Sequence, residues 1–533
     1  LYDGAVVITP NNRLSQQILQ AYDLKYRAEK RIVPKPLCYP YITFLHTLFQ
    51  KILYQQPYQH HPIVLSTQQA HHLWQSILIQ HHTTLSKGLL NAVYTAWEYC
   101  QAWHISPQDT SFHSTAYTRQ FQIWFKEYHR ALNTRHAITT QQIPTYIMEN
   151  SLLMDHTTII WTCFDELTPI QKSLEAYFTQ YQCPSFQDDL VPKSTATYCF
   201  AAQDQLDEYQ LMLEWIKTRL NLGDQRIAIV VPELQRDAPM LQRLFEQHFL
   251  SEYYNISYGR TLNEYPIIGT ALECLALDLQ QVTTGQMHLL LQSPFLKAGQ
   301  QEFSARSQLL QDNPWIHSPI LPWVKFLAYT AGKTPQLHSI LQDLTPYPEN
   351  DSPQGWVMHF RERLERLGFP GEGPILSPLY QSFQRFILLL DEFMSLAIVT
   401  PDMSAKDAIQ ALRELSQTII FQTKKPSSPI TVLGMLEASG CQFDSMWVTG
   451  ISDQCLPQKP KFSPLLAITL QKTSLMPHTC AQREFIRAKK ALERFAFGCQ
   501  HTIVYSYPKI IGDQPQLPSF LIKDLPHLVI PPL

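Results

Sequence analysis

Residues 6–19 read VVITPNNRLSQQIL, and the two halves of this stretch follow different periods. Ala5, Val6, Val7 and Ile8 form a continuous apolar run, the pattern of a strand buried on both faces. Thr9-Pro10-Asn11-Asn12 breaks the run, and Leu14, Ile18 and Ala21 then fall on one face of a helix. Strand, turn and helix in this order make the repeating unit of an α/β fold.

The same unit recurs further along the chain. A second buried strand is expected over 157–161, ending at Phe164-Asp165-Glu166, with Pro169 just inside the helix that follows and Leu174 and Tyr177 on its apolar face. A third unit starts near Thr197, and its helix places Leu206, Tyr209, Leu213, Ile216 and Leu220 on one stripe. The run 226–232 (RIAIVVP) predicts a strand, with a helix over 239–249. Strand character returns at 430–433, 445–449 and 501–505, with a helix over 481–497 between the last two. The intervening stretches 41–150 and 267–420 read as helical, the latter broken by proline-rich loops near 343–353 and 369–378. The expected architecture is α/β with two parallel-sheet domains, 1–40 with 151–190 and 191–280 with 425–533. Each carries a helical insertion, 41–150 in the first and 281–424 in the second.

Composition narrows the chemistry. At roughly 100–200 residues per domain, a chain of 533 residues holds three to five compact units. A formal charge of −3 excludes a chain that is basic throughout, while leaving room for local basic faces. Only 17 residues are glycine, about 3% against a usual ~7%, which leaves few places to wrap backbone N–H groups around a nucleotide. The ten cysteines are scattered with no Cys-x-x-Cys pair, which speaks against a zinc or iron–sulfur site of closely spaced thiolates and for reduced thiols in a cytoplasmic setting. No apolar run approaches the ~20 residues that span a bilayer, and no signal-peptide pattern opens the sequence. The chain starts at Leu1 rather than Met, which leaves room for native residues before it.

Asp165-Glu166 is the foremost chemical candidate. An acidic pair at the carboxyl end of a parallel strand can hold Mg²⁺ and orient water, or it can simply cap the next helix and complement its dipole. Gly332-Lys333-Thr334 is a decoy for a phosphate loop: Leu327 stands where the motif needs glycine, no buried strand precedes it, and Pro335 follows. The pairs His60-His61, His71-His72 and His81-His82 read as exposed polar residues, since adjacent rings on a helix diverge by about 100°. On the helix 481–497, Arg483, Arg487, Lys490 and Arg494 form a basic stripe. It can meet nucleic-acid phosphates, or be salt-bridged to Glu484 and Glu493. The turn Asn11-Asn12-Arg13 suits phosphate contact or plain capping.

In order, the segments 6–19, 163–171 (CFDELTPIQ), 430–457 (ITVLGMLEASGCQFDSMWVTGISDQCLP) and 474–478 (SLMPH) resemble a bacterial family of DNA repair proteins related to AddB and RecC. In that family an inactivated superfamily 1 helicase-like region precedes a PD-(D/E)XK nuclease. The resemblance, with weaker stretches at 205–249, 259–279 and 356–396, runs through nearly the whole chain and implies two RecA-like domains. It places Thr9, Pro10, Asn11, Asn12 and Arg13 in a motif that touches single-stranded DNA, and Asp165 and Glu166 at a vestigial Walker B pair. The active P-loop that would precede the first strand is absent from this sequence. The late motif His-x-x-Lys-Gly-Leu-Glu-Phe-Asp departs at Leu436, Ser439 and Gln442 and keeps Gly440, Phe443 and Asp444. The final arginine-rich motif is reduced to the basic helix.

The resemblance therefore implies a helicase-like scaffold of a DNA repair exonuclease, with no catalytic residue and no cofactor or metal of its own. Mg²⁺ and an iron–sulfur cluster belong to a nuclease region absent from this sequence. Expected DNA contacts are Thr9, Asn11, Asn12, Arg13, Ser439, Gly440, Arg483, Arg487, Lys490 and Arg494. Expected partners are single-stranded DNA or duplex ends and a helicase–nuclease subunit, with no membrane. Two other readings stay open: an active ATP-dependent helicase with an unusual nucleotide site, and a protein-interaction scaffold without DNA contact.

Overall fold

The computed structural model describes all residues except 1–4, 82–85, 151–157, 181–184, 188–194, 313–314, 316–317, 424–427 and 529–533. The chain divides into two compact units: one joins residues 1–258 to 425–533, and the other spans 259–424.

The first unit contains two parallel sheets. One has the strand order Leu37–Pro40, Val6–Thr9, Ile159–Trp161, Ser185–Gln187. The part of the second expected strand at residue 157 lies outside the described residues. The larger sheet has six strands in the order Ala196–Ala202, Cys499–Pro508, Phe443–Val448, Ile227–Val230, Ile430–Leu433, Tyr254–Ile256, every pairing parallel. Val6–Thr9, Ile227–Val230 and Phe443–Val448 are buried at every position; the first two read as nearly continuous apolar runs for that reason, whereas the third also buries Asp444 and Ser445.

Alternation along the six-stranded sheet builds two cores. On one face Ala228, Val230, Leu433, Met446, Val448 and Ile503 pack beneath Ala488 and Phe495 of the helix Ala481–Gly498. On the other, Ile227, Ile229, Ile430, Val432 and Trp447 pack under Tyr209, Met212, Leu213 and Ile216 of Gln205–Asn221, and under Leu241 and Phe245 of Leu234–His248. Two details depart from the sequence expectation. Leu206 is exposed, because the stripe on its helix begins only at Tyr209. The next helix starts at Leu234, five residues before the expected start, and carries Pro239 in its interior.

Residues 41–150 are mainly helical, with one short parallel pair, Ile63–Leu65 against Ala137–Thr139. The first and last helices of the stretch, Tyr41–Gln55 and Ile143–Glu149, do not stand apart from the sheet. Phe44, Leu48, Ile52, Ile143 and Ile147 join Val6, Ile8, Ile159, Trp161 and Leu174 in one core. The remainder is centred on Trp74, which stacks on Tyr128 at 4.0 Å. Two of the histidines there are structural: His61 is held between Tyr146 Oη and the Gln56 carbonyl, each at 2.8 Å, and His71 packs edge-on against Tyr94. His82 lies outside the described residues.

The second unit is helical with short antiparallel pairs, among them Arg260–Thr261 with Ile420–Phe421. Residues 259–280, expected in the second α/β domain, belong to this unit. Trp356 is fully buried, donates to the Met403 carbonyl at 2.9 Å and packs against Tyr347 and Phe360. Gly332-Lys333-Thr334 is the turn between the helices Trp323–Ala331 and Pro335–Gln342; Lys333 pairs with Asp312, and Thr334 is fully buried.

Candidate functional site

The carboxyl end of the first sheet meets the basic helix. The strand Ile159–Trp161 runs out through Thr162 to Cys163, whose φ of 60° turns the backbone sharply and presents Asp165 and Glu166 beyond it. The helix Ala481–Gly498 lays its apolar face on the six-stranded sheet and turns its basic face toward this acidic end. Arg494 lies 2.8 Å from Asp165 Oδ1, Arg483 donates to Glu166 Oε2 at 2.5 Å, and Lys490 Nζ donates to the Asp165 carbonyl at 3.0 Å. The two strongest chemical candidates in the sequence are therefore each other's counter-charges.

Arg487, the fourth member of the stripe, sits 3.6 Å from Glu484, which is buried and also accepts from the backbone N–H of His478. Glu493 pairs instead with Lys489, outside the stripe.

The motif-derived residues gather at the same junction. Asn11 is the N-cap of the helix Asn12–Ala28, its Oδ1 accepting from Leu14 N at 2.9 Å, while its Nδ2 donates to the Leu436 carbonyl at 3.1 Å. Arg13 donates to Ser257 Oγ at 3.0 Å. Gln17 exchanges two hydrogen bonds with the backbone of Gln442. Ser439 Oγ accepts from Arg494 at 3.3 Å. Gly440 has φ +80°, and a Cβ there would stand 2.6 Å from Cys163 Sγ, so this glycine is required by close approach of the two sheets' loops. Thr9 is fully buried with its hydroxyl on the Asn11 carbonyl, which leaves it no surface for a ligand; Asn12 is exposed. Asp444 is structural. It accepts two bonds from the Arg226 side chain and two from the backbone N–H groups of Gln225 and Arg226. Burial pushes its carboxyl up, but the Arg226 bonds outweigh that and hold it below the usual range.

This geometry does not fit a Mg²⁺–nucleotide centre. Both carboxylates already face arginines. Among the described residues, no three His, Cys, Asp or Glu side chains converge as metal ligands do.

One buried acid escaped the sequence reading. Glu208, in the first turn of Gln205–Asn221, is 1% exposed and accepts from Gly450 N at 2.8 Å and Ser506 Oγ at 2.5 Å. It lines a cavity of about 200 Å³ at the carboxyl ends of the six-stranded sheet, together with Tyr209, Arg236 and Asp237. Burial pushes its carboxyl up to about 7. In sequence it looks like an ordinary acidic residue favouring a helix N-terminus, and only the partners from residues 450 and 506 distinguish it. Among the described residues, no helix is long and apolar enough to cross a membrane. No protein-family model matches this chain, and no curated protein matches it.

Proposed function

We propose that this chain is a DNA-binding, helicase-like scaffold without motor activity. In this reading the two parallel-sheet lobes are RecA-like domains of the AddB type. They position DNA ends or single strands for a nuclease carried on another segment or on a partner helicase–nuclease subunit in the cytoplasm. The observation that carries the reading is the pairing of Asp165 and Glu166 with Arg494 and Arg483. A motor needs that acidic edge for a hydrated metal and its nucleotide, whereas here it serves as an electrostatic seam between the lobes.

The test is fluorescence anisotropy with labelled single-stranded, blunt and tailed DNA over a salt series, with and without ATP–Mg²⁺. Binding that weakens steeply with salt and ignores nucleotide is expected. ATP hydrolysis stimulated by single-stranded DNA and abolished in Glu166→Gln would overturn the silent-motor part. Absence of binding at low salt would overturn the DNA part.

A further inference from the structure

The basic helix at the junction has spent most of its charge internally, which raises the question of where a nucleic acid would find free cations. Residues 22–36 (YDLKYRAEKRIVPKP) hold five cations, Lys25, Arg27, Lys30, Arg31 and Lys35, against Asp23 and Glu29. A surplus of three positive charges thus sits in fifteen residues of a chain whose formal charge is −3. Lys25 and Arg27 occupy the last turn of the helix Asn12–Ala28, where its dipole favours them. Lys30, Arg31 and Lys35 lie beyond the helix, so capping does not account for them.

The local geometry keeps these charges together. Lys30 takes φ 53°, and the N–H groups of Lys30 and Arg31 close back onto the carbonyls of Arg27 and Tyr26. The chain then doubles along its own helix and encloses a groove of about 590 Å³ lined by Tyr22, Tyr26, Arg27, Arg31, Val33 and Lys35, among others. Tyr22 and Tyr26 have ring centroids 4.5 Å apart, and Lys25 and Arg31 each lie 5.7 Å from the Tyr26 ring. The ion pairs here, Arg27–Asp23 and Arg31–Glu29, are exposed, so solvent and salt weaken them. Ile32 is fully exposed at the rim. Because Val6–Thr9 and Leu37–Pro40 are parallel and joined by this helix, the groove lies at the amino ends of the first sheet, away from the Asp165 seam.

We propose that this groove is a second contact site for single-stranded nucleic acid, with Arg27, Arg31 and Lys35 of its lining meeting phosphates and the Tyr22–Tyr26 pair stacking a base. Cations interleaved with aromatic rings are the arrangement that holds a single strand without reading its sequence. The inference rests on the DNA-binding reading above and adds a location to it.

The test uses the full chain and fluorescently labelled oligothymidylate. In Arg27→Gln/Arg31→Gln/Lys35→Gln, the slope of log affinity against log salt should fall by about 2, from three lost phosphate contacts at ~0.7 each. The charge-preserving variant Arg27→Lys/Arg31→Lys/Lys35→Arg should keep the slope. Tyr26→Leu should weaken binding about tenfold on single strands and leave a blunt duplex nearly unaffected. If wild type binds oligothymidylate but the triple Gln variant keeps its affinity and slope, this inference falls and the DNA-binding reading stands. If wild type does not bind at low salt, both fall. If the variants lose binding to phosphatidylserine vesicles while their DNA binding is unchanged, the groove is a membrane surface and the inference is overturned.

Discussion

Glu208 shows how far a single residue's environment can depart from its sequence context. An unfolded glutamate titrates in the ordinary carboxylate range, whereas burial in this fold pushes Glu208 up to about 7. Folding therefore favours its protonated form. That contribution is complete below the ordinary carboxylate range and is lost as pH rises through about 7. Glu208→Gln keeps an acceptor for Gly450 N and cannot ionise. Relative to wild type it should gain up to about 2–3 kcal/mol of stability between pH 5 and pH 8. Urea unfolding at both pH values checks this, and an equal difference at the two would refute it. Asp224 behaves in the opposite sense: burial raises it, but bonds from Arg219 and His501 outweigh that and hold it low, so its support is present above the ordinary range and fades in acid.

At the scale of elements, the helix Ala481–Gly498 is legible in sequence as two-faced, and its apolar face lies where the periodicity puts it. What its charges meet is not legible, because the partners stand more than three hundred residues away in the chain. The seam is partly buried, with Arg494 and Asp165 side chains 12% and 28% exposed. A double-mutant cycle of Arg494→Gln and Asp165→Asn should give a coupling of about 1 kcal/mol that shrinks with salt. Single loss of Arg494 should cost more than loss of both, since it leaves Asp165 without its counter-charge. Additive effects in the cycle would mean that the two groups do not interact. The helix cap at Asn11 is one of the two options that its turn allows, whereas its second bond, to the Leu436 carbonyl, has no local signal.

For the whole molecule, two units with separate cores imply that damage to one need not reach the other. Trp356→Ala removes a fully buried indole from the unit spanning 259–424 and should cost about 3–5 kcal/mol there. DNA binding attributed to the other unit should persist under native conditions, as anisotropy can check. Loss of binding in parallel with stability would contradict that independence. The sequence by itself determined the α/β class, because strands buried on both faces are mostly apolar and the helices between them are striped. It also placed Asp165-Glu166 at a strand end and the arginines on one helix face. Only the tertiary structure decided that these two sets neutralise each other, that residues 41–55 and 143–149 cover the first sheet, and that Glu208 is sealed beneath Gly450 and Ser506. Periodicity reports which way a side chain faces along its own element. Which charge it meets depends on long-range packing, which a local pattern does not encode.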